Sequence, residues 1–317
     1  MNSSTQYITN LIIDYSIIGF SSTGILISIS MLTFILYHII KNKIKSIRIA
    51  LLLTGNMYFA LLLFFTLIID TYTYTLEGHI YGNIFTNNTK LCRVRAYFVT
   101  TVICALFYSN TLQAIYRFCR IIFYMKKKFQ SFQIHIIIIV IQWIICFIVT
   151  SPALFLNRFE YLPDDYHCQI PYGNFQTIIL YGCIIYIIPL TITIGCYIFT
   201  LRKMHNENNR FRQIITQIQR FIIQREMNIL FRLCILLGFM ITFFIPSTII
   251  FLINQFTGYL PWWSSQIRWL SYVLSMICVT IILAFISPHI RNLWINSTGF
   301  RKLFPKNKIA PAVIKIN

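Results

Sequence analysis

The chain has 317 residues, of which 57% are apolar and only 11% charged, yet its formal net charge is +19, from 27 Lys and Arg against 8 Asp and Glu. So few charges cannot clothe the surface of soluble domains of this total length. The six histidines (His38, His79, His135, His167, His205 and His289) are scattered, with no His-x-x-His pair, so clustered ligands for a membrane enzyme are not in view and neither catalysis nor a cofactor is expected.

Crossing a bilayer as a helix takes roughly 20 predominantly apolar residues. Seven stretches meet that length: residues 17–40, 48–69, 92–122, 133–156, 175–201, 226–254 and 262–286. Ile136–Ile141 and Leu233–Ile245 are apolar all round, without the polar face that a soluble surface helix shows at helical spacing. Residues Met1–Asn10 carry neither a basic n-region nor a small-residue cleavage site, so the first span is expected to act as its own insertion signal.

The charges between the spans are segregated. One set of alternate loops holds only Lys90, Arg93, Arg95, Arg158 and Arg268, while the other 22 basic residues fall on the opposite side. Six of the eight acids (Asp14, Asp70, Glu77, Glu160, Asp164 and Asp165) accompany the smaller basic set, leaving Glu207 and Glu226 across the membrane. The positive-inside rule then places the N-terminus outside and the C-terminus in the cytoplasm. The organisation expected is an extracellular segment 1–16, a membrane domain 17–290 and a cytoplasmic tail 291–317. Basic clusters at Lys41–Arg48, Lys126–Lys128 and Arg301–Lys308 read as anchors to anionic lipid, at about 1 kcal/mol per basic residue, and nucleic acid is not an expected partner. Sequons at Asn2 and Asn87 fall outside, where glycosylation is open to them, whereas Asn296 falls inside.

Of nine cysteines, only Cys92 and Cys168 lie on the oxidising side. Bridged, they would tie the second external loop to the start of the third span; the alternative is a pair of free thiols. The others read as small apolar residues in or beside helices. The linker 202–225 sets Phe211, Ile214, Ile215, Ile218, Phe221 and Ile222 at helical spacing among arginines, which continues the fifth and sixth spans into the cytoplasm.

Several residues hold a fixed register. Cys92 opens the third span and Tyr116-Arg117-Phe118 closes it, with the arginine twenty-five residues after the cysteine. Trp143 stands alone in the fourth span with Pro152 near its end, Pro189 precedes Tyr197 by eight residues, and Glu226 precedes Pro246 by twenty. Over the third to sixth spans this resembles the rhodopsin-like G-protein-coupled receptors. The resemblance implies an all-α membrane protein: a seven-transmembrane helix bundle with a short cytoplasmic amphipathic helix after the seventh span. It implies a heterotrimeric G protein as partner and a plasma-membrane location.

The same resemblance assigns roles. Arg117 is similar to the family arginine that is restrained at rest and released to meet the G protein, and Glu226 is its candidate ion-pair partner; the bland alternatives are a snorkelling anchor and a solvated loop carboxylate. Tyr197 is similar to the tyrosine that swings toward the arginine. Pro246, with Phe243 and Phe244 beside it, is a candidate hinge for the sixth span, or a static kink. Departures accompany these matches. Tyr116 replaces the acid beside the arginine, and Phe244 stands where many members have Trp. No carboxylate lies between Leu51 and Ile69 for a sodium site, and Val279–Leu283 replaces the Asn-Pro-x-x-Tyr motif.

By register, Val99 stands where amine receptors keep an acid and Val273 where opsins keep a lysine, which argues against an amine ligand and excludes a retinal Schiff base. Candidate ligand-binding residues are Asp70, Tyr97, Thr100, Trp269 and Tyr272, although interfacial Trp and Tyr are commonly belt residues. Acids around the mouth suggest, as a hypothesis, a cationic neuropeptide-like ligand; a lipid or odorant-like ligand competes with it. A transporter and a non-signalling decoy are the rival classes.

Overall fold

The structure is a computed structural model that describes residues 3–41, 45–82, 90–122, 131–163, 165–210, 235–236, 238–241, 245–259 and 261–286. Helices α1 (Ser3–Lys41), α2 (Lys45–Tyr81), α3 (Lys90–Ile122) and α4 (Phe132–Phe155) come first. A two-stranded hairpin follows, β1 (Glu160–Leu162) with β2 (His167–Gln169). Then come α5 (Phe175–Gly182), a π-helical turn (Cys183–Ile187), α6 (Ile188–Arg210), α7 (Ile245–Thr257) and α8 (Ser264–Ile286). Among the described residues seven segments are long and apolar enough to cross a membrane, the fifth running through α5 and α6 as Phe175–Arg202 and the sixth, Gly238–Thr257, containing α7. The predicted number and order of spans agree with this. The expected amphipathic helix after the seventh span lies outside the described residues.

Two boundaries differ from expectation. α1 begins at Ser3, not near residue 17, so the helix of the first span takes in most of the segment 1–16 expected to precede it; α2 continues to Tyr81, not 69, and takes up much of the expected loop 71–91. At 1.5 Å per residue α1 is about 58 Å long, roughly twice the bilayer's hydrocarbon thickness. A search for apolar runs stops at Asp14 and Asp70, but the helices do not, because their extensions bury each other's polar groups. Asp14 is fully buried and its Oδ2 lies 2.6 Å from Nδ1 of His79 on α2. Farther along the same pair of helices Gly24 faces the Phe65 ring so closely that any Cβ would collide with it.

The core sits on α2 and α3, where Phe64, Phe65, Ile68, Tyr72, Ala105 and Leu106 are buried. α4 is peripheral, with Ile137, Val140, Ile144 and Ile148 exposed on its outer face, as suits a helix against lipid. It is held by polar groups inside: Asn56 Nδ2 donates to Ser109 Oγ and Gln142 Oε1, both at 2.9 Å. Trp143 Nε1 donates to Asn56 Oδ1 at 2.9 Å, and Gln142 Nε2 donates to Ala105 O at 3.0 Å. Each polar atom in this cluster of α2, α3 and α4 thus finds a partner where water is excluded.

Pro189 explains a second contact. In the π turn the Ile188 amide donates to Cys183 O, five residues back, so the next amide in sequence would serve Ile184 O. Pro189 has no N–H to give, and the Tyr108 hydroxyl of α3 supplies the donor instead, at 3.3 Å.

The segment 157–174, expected as a loop, holds the hairpin. Tyr161 pairs with Cys168 across it, and all three residues of β2 are buried. Asn157 ends α4 in the left-handed region (φ 52°), a conformation that Asn tolerates, and its Oδ1 accepts a hydrogen bond from Arg93 of α3. Cys168 Sγ is bonded to Cys92 Sγ, fastening β2 to the first turn of α3. This is the hairpin end of the bundle.

Candidate functional site

A cavity of about 210 Å³ opens beneath the hairpin. It is walled by α2, α3, β2, the α5 to π-turn segment, α7 and α8. α3 contributes Arg95, Ala96, Val99, Thr100 and Ile103, a stripe at helical spacing. Of the residues singled out from sequence, the structure brings Thr100, Trp269 and Tyr272 to the cavity wall. Tyr272 Oη donates to Ser247 Oγ at 3.0 Å, joining α8 to α7 there.

Asp70 and Tyr97 are elsewhere. Tyr97 lies off the α3 stripe; its hydroxyl donates to Phe147 O of α4 at 3.1 Å, and its ring packs with Phe98 and Phe147 toward the bundle's outer surface. Asp70 stands behind the wall, its Oδ2 2.9 Å from Arg95 Nε, while the Arg95 guanidinium lies 3.7 Å over the Tyr74 ring. Asp70 therefore neutralises and orients a residue of the wall without joining the lining.

Arg268 was legible in the sequence only as one of five basic residues on its side. In the structure it is nine-tenths buried and lines the cavity. Its Nη2 donates to Gln169 Oε1, whose own Nε2 donates to Asp165 Oδ2 at 3.5 Å. The guanidinium carbon lies 5.0 Å from the Tyr172 ring centroid and 5.4 Å from that of Trp269. Among the described residues no carboxylate lies within ion-pairing distance of Arg268, and its Nε has no hydrogen-bond partner. The signal that could have singled it out is a lone arginine next to Trp269 within an otherwise uncharged span.

His167, also on the wall, sits with Nδ1 2.8 Å from Asp165 O, which makes Nδ1 the protonated nitrogen. Burial holds its imidazole below the ordinary range, against the pull of Asp165 and with that of Arg268; Asp14 is a further charged group near it. A histidine whose folded pKa is depressed is protonated first in the unfolded chain. Its contribution to stability is thus present above about pH 6.5 and is lost as pH falls below that value. The melting temperature of the solubilised protein is expected to drop between about pH 7.5 and about pH 5.5, and His167→Gln to flatten that drop. An identical pH slope in both proteins would refute this assignment.

At the opposite end, Arg117 is half-buried near the end of α3. Tyr116 is buried, with its ring edge-on to His135 of α4 at 5.1 Å and packed against Ile49 and Leu53 of α2. Where the family keeps an acid, this chain thus keeps an aromatic joint between helices. Tyr197 is buried on α6, and Pro246 lies in the first turn of α7. Glu226, Phe243 and Phe244 lie outside the described residues, as do Asn2, Asn87 and Asp164.

A search of curated protein sequences finds no match. A family model described as "7 transmembrane receptor (rhodopsin family)" matches residues 32–289, which is more than half of the chain and takes in the cavity and the Arg117 end alike. Seven membrane-crossing segments, a disulfide from the hairpin to the head of α3 and this match lead to one conclusion: the chain belongs to the rhodopsin family of seven-transmembrane receptors.

Proposed function

We propose that the chain carries a signal from an extracellular ligand, neuropeptide-like in class, to a heterotrimeric G protein at the plasma membrane, by outward motion of the sixth span. The observation that carries this reading is the cavity at the hairpin end, at the opposite end of α3 from Arg117. The segregation of basic residues supports placing the hairpin end outside, with residues 291–317 as a cytoplasmic tail and Asn2 and Asn87 open to glycosylation. On the inner side, Arg117 and Glu226 form the restraint, Tyr116 and Tyr197 flank it, and Pro246 with Phe244 supplies the hinge.

The ligand enters by one end, because a cavity of about 210 Å³ is smaller than the roughly 300–1,000 Å³ of pockets that enclose a whole drug-sized molecule. A cationic end is disfavoured. The described lining carries Arg95 and Arg268 and no carboxylate, while Asp14 is committed to His79 and Asp70 to Arg95.

Guanine-nucleotide exchange on a panel of G proteins, in membranes bearing the wild type, Arg117→Ala or Glu226→Ala, tests the reading. Pools of amidated and free-acid peptides serve as stimuli. Exchange is expected in the wild type, higher basal exchange in Glu226→Ala, and a loss of about tenfold or more in Arg117→Ala, the cost of one charge-assisted contact. A non-signalling decoy is the second reading, favoured by the aromatic joint at Tyr116. It would take precedence if no protein gave exchange above empty membranes at equal surface expression.

A further inference from the structure

We propose that the ligand end admitted to the cavity is a carboxylate flanked by an apolar group, and that Arg268 is the residue that binds it. This rests on the reading of the hairpin-end cavity as the ligand site. The cavity holds two guanidinium groups, and their circumstances differ. Arg95 is already neutralised by Asp70 at 2.9 Å. Arg268 is nine-tenths buried, and among the described residues it touches the neutral amide of Gln169 and two aromatic faces, while the carboxylate that acts on it, Asp165, stands behind Gln169 beyond ion-pairing distance. A buried charge with no counterion in contact is costly, and chains keep one where something else supplies the opposite charge.

The geometry narrows what that something is. Tyr172 and Trp269 fix the guanidinium by its faces and Gln169 holds Nη2, which leaves Nε buried without a hydrogen-bond partner among the described residues. A guanidinium edge presents parallel N–H donors at the spacing of a carboxylate's two oxygens. Beyond Arg268 the wall turns apolar: Val99, Ile103, Ile178, Ile185 and Phe251 line it. An ordinary ion would leave that surface wet, whereas an acid carrying a branched aliphatic or phenyl group covers it. Two sources offer this chemistry, the free-acid C-terminus of a peptide ending in an apolar residue and a free aliphatic or aryl acid.

The full chain, purified in detergent, allows both to be tried by thermal shift. The probes are 4-phenylbutyrate and its amide, and the dipeptide Leu-Phe as free acid and as C-terminal amide. They are taken to about 10 mM because ligands of this few atoms bind with roughly millimolar Kd. Each acid that binds is expected to raise the melting midpoint of the wild type, with its amide at least about tenfold weaker, as the loss of one charge-assisted pair implies. Arg268→Gln should erase the difference between acid and amide, and Arg268→Lys should restore part of it. A response to the dipeptide acid alone assigns the peptide source, and a response to phenylbutyrate alone the free acid.

The proposal is overturned if acid and amide act equally on the wild type, if neither acid acts, or if Arg268→Gln discriminates as the wild type does. The acid and amide comparison needs no variant, so a misfolded Arg268→Gln does not shield the idea. Nucleotide exchange separates this inference from the receptor reading beneath it. Exchange driven by an amidated or cationic ligand independently of Arg268 removes the carboxylate and keeps the receptor. Acid binding with no exchange on any G protein removes the signalling role and keeps the site.

Discussion

Replacing Cys92 and Cys168 together by Ser is expected to cost up to about 4.5 kcal/mol, the chain-entropy value for a loop of this length, and to strip most of the protein from the cell surface. The two cysteines are 76 residues apart, with most of α3, all of α4 and β1 between them. The bilayer already confines those helices, so the loop closed in a membrane is less free than in water and the measured loss should fall below that ceiling, near 2–4 kcal/mol. Against a typical total stability of about 5–15 kcal/mol that is a large fraction. The effect reaches the cavity because β2 carries His167 and Gln169 on either side of Cys168, and Gln169 holds Arg268. Surface immunostaining and the melting temperature with and without reductant provide the check. A double variant that melts with the wild type would show that hairpin packing alone holds the wall.

Asn56→Leu is expected to destabilise the bundle by roughly 2–4 kcal/mol, from three lost hydrogen bonds at about 0.6–1.7 kcal/mol each in a membrane interior. The leucine fills the volume but strands the Trp143 indole N–H and removes a partner from Gln142 and Ser109. Trp143→Phe removes only the indole bond and should cost less, and the pair should show positive coupling in a double-mutant cycle. Thermal unfolding in one detergent at fixed protein concentration measures all three. If Asn56→Leu melted within a degree or so of the wild type, α4 would be held by its Thr150 and Cys146 packing against α3 instead.

These two sites show what the sequence discloses and what it withholds. The seven spans are legible because hydropathy over roughly twenty residues is a cooperative signal, strong at Ile136–Ile141 and Leu233–Ile245. Cys92 and Cys168 are legible because topology alone singles them out. The continuation of α1 and α2 past the apolar runs is not, since Asp14 and His79 read as loop residues until each is seen to bury the other. β1 and β2 have three residues each, too short for alternation to register. Thr100, Trp269 and Tyr272 could be placed by register, whereas Tyr97 could not, because one residue along a helix turns a side chain through about 100°. Arg268 was counted as a surface charge because charge is visible in a sequence and the absence of a counterion is not.

The π turn at Cys183–Ile187 has a consequence for how this chain tolerates change. The inward residues of the fifth span, Tyr181, Ile185, Pro189, Thr193 and Tyr197, recur every four positions. A regular α-helix would let such a repeat drift by about 40° at each step, and the wider turn gives part of that rotation back. The phase of everything below it is therefore set by the number of residues above. Substitutions within Cys183–Ile187 leave that phase alone, and deleting one residue there is absorbed as the five-residue turn closes to a regular one, but inserting a residue below it, before Thr193, would swing Thr193 away from Thr111 of α3 and turn Tyr197 out of the core by about 100°, with the cavity's upper wall still in place. In this span residue count, as much as residue identity, connects the two ends of the molecule.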